Sequence, residues 1–157
     1  MDNKLIYEFS SQKTDGDASL SNLLGGKGAN LAEMSKLGIQ VPPGFTITTE
    51  ACNYFSKNKK LPDGLKEEII KYVSNLESLS QKSFGNSESP LLLSVRSGGM
   101  ISMPGMMDSI LNIGLNDDNI QSLAAAFNDE RFALDSYRRL IQMLSLIHIS
   151  EPTRPLT

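Results

Sequence analysis

The sequence predicts an α+β fold, and three observations carry that expectation. Short apolar or β-branched runs, Lys4 to Phe9, Leu91 to Val95 and Ser109 to Ile113, have strand character. Other segments place apolar residues at helical spacing, most clearly from Leu65 to Leu79. The two kinds follow one another irregularly, without the regular strand–helix alternation of a parallel α/β fold. No internal repeat and no low-complexity tract interrupts the pattern.

The elements can be justified in order. Lys4 to Phe9 is the first strand, and Gln12 to Ser21 is polar and turn-rich, hence a loop. Gly25-Gly26-Lys27-Gly28 opens a helix to about Leu37, with Leu31, Met34 and Leu37 on one face and Gly38 as its stop. Val41-Pro42-Pro43-Gly44 is a rigid turn before a strand from Phe45 to Thr48. Thr49 is the expected cap of a short helix from Glu50 to about Ser56. A charged loop, Lys57 to Asp63, leads to the amphipathic helix, whose apolar set is Leu65, Ile69, Tyr72, Val73, Leu76 and Leu79. Ser80 to Pro90 reads as polar linker, and Leu91 to Val95 as a buried strand. The loop from Arg96 to Asp108 and the strand from Ser109 to Ile113 follow. Asp118 and Gln121 have capping-box spacing ahead of a helix to about Phe127. A last helix from about Glu130 carries Phe132, Leu134, Tyr137, Leu140 and Ile141.

Composition narrows the function classes. A chain of 157 residues suffices for one domain and is short for a kinase with separate nucleotide and acceptor domains. A net charge of −3 argues against a nucleic-acid partner. A lone cysteine, Cys52, permits no internal disulfide and no cysteine metal cluster. No apolar stretch reaches the length needed to cross a bilayer, and no leader peptide is recognisable, so the expected location is the cytoplasm.

Two glycine-rich segments carry the chemistry. Leu23 to Met34 reads LLGGKGANLAEM, in which Gly25, Gly26 and Gly28 surround Lys27 at a helix start. A helix N-terminus offers free N–H groups and positive potential, and the lysine adds a mobile charge for a phosphate. The Walker A pattern is absent. By spacing alone, a solvated lysine at a glycine-rich helix start is the more common reading. The second segment, SVRSGGMISMPGMMDSILNIGLND from Ser94 on, sets Arg96 in a Ser-Arg-Ser-Gly context before a Met-Pro-Gly-Met-Met-Asp turn. Successive backbone N–H groups and a guanidinium fork match phosphate oxygens. The alternative for Arg96 is a rim arginine paired with a carboxylate such as Glu33 or Glu50. Ser97 and Ser102 offer hydroxyls, and Gly98, Gly99, Pro104 and Gly105 shape the loop. Met100, Met103, Met106 and Met107 read as loop packing, and Asp108, alone, as a loop anchor.

Both segments resemble the N-terminal nucleotide-binding domain of the pyruvate, phosphate dikinases, and the likeness runs from Lys4 to about Met143. It includes RFALDSYRRLIQM from Arg131 on, where Arg138 and Arg139 read as a solvent-facing pair. The resemblance implies a partial, truncated ATP-grasp-like domain that binds ATP and phosphate, accompanied by Mg²⁺ whose ligands lie in the part this chain lacks. It assigns Lys27, Gly26, Gly28, Arg96, Ser97, Gly98 and Gly105 to nucleotide phosphate binding, with Arg96 as the group that stabilises the transferring phosphoryl. It further implies phosphohistidine and pyruvate-binding domains elsewhere in a full-length, homo-oligomeric enzyme, and an isolated piece without activity. The chain departs from the family at Gly99, Met100 and Ile101, where a small, a basic and a small residue are usual; the loss of that basic residue reads either as a weaker phosphate cradle or as the mark of a divergent lineage.

Domain organisation is expected to be residues 1–143 as part of the dikinase domain and 144–157 as a non-native tail. Leu144 to Arg154, LSLIHISEPTR, reads as the in-frame translation of a transposase-type sequencing-library adapter. The tail holds Glu151, Arg154 and the only histidine, His148, so the net charge is unchanged without it.

Overall fold

A computed structural model describes residues 4–96 and 109–150, the last eight of these by backbone only. The chain divides into two compact units, residues 4–79 and residues 80–96 with 109–150. Helices and short strands are mixed in both, as expected for α+β.

The first unit is built on an antiparallel ladder of β1 (Ile6–Phe9) and β2 (Gly44–Ile47), in register Ile6↔Ile47 to Phe9↔Gly44. Gly44 is glycine for a reason: a Cβ there would lie 2.7 Å from the Phe9 ring. Between the strands comes α1 (Ser21–Lys36), which ends where Gly38 (φ 82) admits the left-handed turn and the Ile39 N–H reaches back to the Met34 carbonyl. After β2 come α2 (Thr49–Asn58) and α3 (Leu65–Ser80). Ile6, Ala51 and Leu65 are the buried centre, with Leu5, Phe45, Ile69 and Tyr72 packed round them.

The loop expected from Gln12 to Ser21 is more ordered than its composition indicates. Thr14 bridges to Phe9, and Ala18–Leu20 forms a 3₁₀ turn capped by the Asp17 side chain. Asp15 organises the bend. Its Oδ2 accepts from the Glu8 N–H at 3.0 Å and faces Lys4 Nζ at 3.1 Å, while Lys13 lies 3.3 Å from Glu8 and 3.8 Å from Asp15. The α2 cap is also one residue away from expectation. Thr48, fully buried, accepts from the Ala51 N–H at 3.3 Å, whereas the Thr49 hydroxyl donates to the Asn22 carbonyl at 2.8 Å.

In the second unit the segment expected as linker folds: Asn86 Oδ1 accepts from the Glu88 and Ser89 N–H groups, which brings β3 (Ser83–Phe84) parallel to β4 (Pro90–Leu91). The strand expected from Leu91 to Val95 is therefore split. Leu91 is buried in β4, but β5 (Leu93–Arg96) runs outward, and Val95 is 52% exposed. β5 pairs antiparallel with β6 (Ser109–Ile113). The register slips between Leu93 and Val95, and Asn112, at φ 61, takes up the extra residue of a bulge. α4 (Ile120–Phe127) and α5 (Glu130–Ser150) close the unit. Leu115, Ile120, Leu123, Ala133 and Leu140 form its core, flanked by Leu92, Ile110, Ile113, Ala124 and Tyr137.

The expected Asp118–Gln121 capping box is not formed. Asn119 stands at the N-cap, buried, and its side chain accepts from the Asn116 N–H and donates to the Gly114 carbonyl at 2.7 Å. A buried amide with two backbone partners outcompetes an exposed aspartate for that position.

The Asp15 carboxyl titrates below its ordinary value. Burial opposes its ionisation, and the Glu8 N–H, Lys4 and Lys13 together outweigh burial. A depressed folded pKa means the stabilisation is present above the unfolded value, about 3.9, and is lost as pH falls through the folded one. Asp15→Asn is therefore expected to cost on the order of 1 kcal/mol at pH 7. The difference from the parent chain should vanish below the carboxylate range. Urea unfolding followed by circular dichroism at pH 7 and at acid pH checks both signs.

Candidate nucleotide-phosphate site

The helix expected to open at the glycine run does so through a break. α1 begins one turn earlier, at Ser21, but Gly25 has φ 74 and ψ 168, which ends that turn and starts a second helical segment at Gly26. This dihedral pair lies in a region reserved in practice for glycine. The amides that follow the break sit at a fresh helix start, where the first N–H groups lack acceptors one turn back and the dipole is positive.

The three glycines have three different roles. Gly25 supplies the dihedral. Gly28 supplies closeness: it is buried, and a Cβ there would lie 2.8 Å from Thr46 Cγ2, 3.0 Å from Thr46 Oγ1 and 3.2 Å from Leu24 Cβ. Gly26 satisfies neither need. It is exposed, its φ is not positive, and a Cβ would meet nothing within 4 Å. A glycine with no steric or conformational reason to be one leaves its amide open to whatever approaches the helix start. Lys27, half-buried, is next to it.

Arg96 is exposed at the last position of β5, cross-strand from Ser109, the first residue of β6. The pair closes the ladder at the two ends of the glycine- and methionine-rich loop. Ser97, Gly98, Met100, Gly105 and Asp108 lie outside the described residues. Of the carboxylates considered for Arg96, Glu33 accepts from the Ala18 N–H at 3.0 Å and belongs to the first unit. Arg138 and Arg139 flank a single carboxylate, Asp135, at 2.9 and 3.1 Å on the exposed face of α5, as the sequence reading expected of them. Hydrogen bonding from Arg138 and the charges of both arginines keep that carboxyl below its usual range.

Among the described residues no three acidic, histidine or cysteine side chains gather as a metal site. No described helix is long and apolar enough to cross a membrane. Sequence reasoning missed the places of Thr46, which lies against Gly28 from β2, and of Thr49, whose hydroxyl donates to the Asn22 carbonyl just ahead of the glycine segment. Strand alternation gives no hint of a contact set by a missing Cβ.

The separate roles of the glycines have a measurable consequence. Gly25→Ala is expected to lower stability by about 1–3 kcal/mol, the cost of forcing a Cβ into that backbone region. Gly26→Ala is expected to leave stability unchanged or raise it by up to about 1 kcal/mol. Thermal unfolding of the two variants side by side tests the distinction.

Residues 21–84 match the family described as "Pyruvate phosphate dikinase, AMP/ATP-binding domain". Over 151 residues, 96% of the chain, the sequence is 51% identical to pyruvate, phosphate dikinase of Rickettsia conorii. It is 50% identical over 95% of the chain to that of Clostridium symbiosum, and 53% identical over 92% to that of Entamoeba histolytica. The chain spans only 16–17% of the length of these relatives. The glycine break at α1, Lys27 and β2 all fall inside the stretch that is similar to this AMP/ATP-binding domain family.

Proposed function

We propose that this chain supplies phosphate-binding elements to a dikinase that converts ATP, phosphate and pyruvate to AMP, pyrophosphate and phosphoenolpyruvate through a phosphohistidine. The observation that carries the reading is Gly26, open in space at a fresh helix start beside Lys27 and lying in a stretch that matches an ATP-binding family. The amides after Gly25 would receive phosphate oxygens, and Lys27 would add a positive charge. Gly28 would let the helix start seat on β2. Arg96, with Ser97, Gly98 and Gly105 of its loop, would hold the transferring phosphoryl, and the arginine fork would take up charge that grows in the transition state.

The domain is read as ATP-grasp-like, and the phosphohistidine and pyruvate sites belong to the rest of the enzyme, which works in the cytoplasm as a homo-oligomer. Mg²⁺ accompanies the nucleotide on ligands outside the described residues. Phosphoryl transfer needs an acceptor and charge neutralisation by metal, and this reading places both in the rest of the enzyme, so the piece is expected to be inactive alone. Residues 144–157 are a non-native tail.

Two experiments test the proposal. In the full-length enzyme, Arg96→Lys keeps the charge and loses the planar fork. ATP-dependent phosphorylation of the histidine is expected to slow by about two to three powers of ten, the loss of about 3–4 kcal/mol of transition-state stabilisation. The pyruvate half-reaction should keep its rate; equal slowing of both halves would make Arg96 structural. For the tail, deletion of 144–157 should leave the thermal midpoint unchanged and remove only the helical dichroism of the residues deleted. A clear drop in the midpoint would make those residues part of the fold.

A further inference from the structure

We infer that Thr46 and Thr49 are positioning residues for the phosphate-binding turn, an inference that rests on the nucleotide reading above. The turn is held at two points by one continuous segment. Downstream of the break, Gly28 lies against Thr46 so closely that a Cβ would be 2.8 Å from Cγ2 and 3.0 Å from Oγ1. Upstream of it, the Asn22 carbonyl accepts from the Thr49 hydroxyl at 2.8 Å. Between the two points lie Gly25, whose dihedrals only glycine holds, and Gly26, which is exposed.

Thr46 suits this role. It is β-branched, so its χ1 is stiff, and its backbone is fixed by pairing with Tyr7 in the β1–β2 ladder. Thr49 follows the buried Thr48, which caps α2, so its own place is fixed by that cap. A ladder and a capped helix thus set where the fresh amides stand, and a displacement of about 1 Å in such groups is enough to cost a hundredfold in function. Neither threonine touches the nucleotide in this account; both act through the turn.

The test uses the full-length enzyme and ATP, with affinity read by calorimetry and the pyruvate half-reaction as a check on folding. Gly28→Ala is expected to weaken ATP about tenfold or more while the pyruvate half-reaction keeps its rate. Thr46→Ala removes the two closest of the three atoms that the new methyl would meet and leaves Leu24 Cβ at 3.2 Å. In that background Gly28→Ala should therefore cost clearly less, a non-additive cycle. An equal penalty in both backgrounds would overturn the role of Thr46. Thr49→Val, a mild change, should raise the KM for ATP several-fold with kcat maintained, and an unaltered KM would overturn the role of Thr49. Lys27→Ala separates the layers. A loss of affinity there, with none in Gly28→Ala, overturns this inference alone. Unchanged affinity in Lys27→Ala overturns the phosphate reading and the inference together.

Discussion

The close approach of α1 to β2 at Gly28 is the constraint on which the first unit turns. Two backbones can come this near only where one of them has no Cβ, because a methyl at Gly28 would overlap both γ atoms of Thr46. That nearness lets the small residues Ala29 and Ala32 be buried with Leu24 while the helix start stays at the surface. Gly44 makes a similar accommodation two residues earlier on β2, where the Phe9 ring of the neighbouring strand lies across it. Two glycines, one on the helix and one on the strand, thus fix the spacing of the layer that carries Lys27. Gly16 completes it, since a Cβ there would lie 2.6 Å from Leu24.

Electrostatics then hold the bend that joins β1 to α1. Asp15 accepts a backbone N–H and faces two lysines, and Lys13 is raised in pKa chiefly by its hydrogen bond to Glu8. Further along, Asp17 caps the 3₁₀ turn and lies 3.6 Å from Lys36 in the last turn of α1, while Glu33 accepts from Ala18. The Lys36 and Glu33 contacts reach back from the far end of α1, so the helix is clamped along its length by the loop that precedes it. The exposed ion pairs contribute little individually, and the half-buried Asp15 group contributes more because its partners include the backbone.

How much of this was legible in the sequence varies with the kind of force involved. The amphipathic period of α3 located it to within one residue, because burial of one face dictates that spacing. Gly38 was legible as a helix stop, since a left-handed residue is a local requirement. The glycine run was legible as a helix start, but the positive φ at Gly25 that ends the preceding turn was not. Local rules failed where tertiary partners decide. Thr48 and Asn119 took the capping positions that Thr49 and Asp118 seemed to own, because each is buried with backbone partners already in reach. The segment from Ser80 to Pro90 looked like linker because its order comes from one Asx turn at Asn86 and not from apolar periodicity. The outward course of β5 was hidden for a related reason: its sequence is as apolar as a buried strand, and only the pairing with β6 shows which side chains are left at the surface.

That outward course bears on what Arg96 can do. A guanidinium buried behind a sheet would be committed to a structural carboxylate, since an unpaired buried charge is prohibitively costly. Arg96 is instead exposed, at the closing pair of a short antiparallel ladder, with its backbone fixed by Ser109 opposite. The bulge at Asn112 lies further along the same ladder, between the Leu93–Ile113 and Val95–Ile110 pairs. Ladder geometry fixes the root of the side chain, and among the described residues no ion pair or hydrogen bond engages its fork. A group that stabilises charge only as a reaction proceeds has the same two requirements: a pre-set position, and no stronger partner in the resting state.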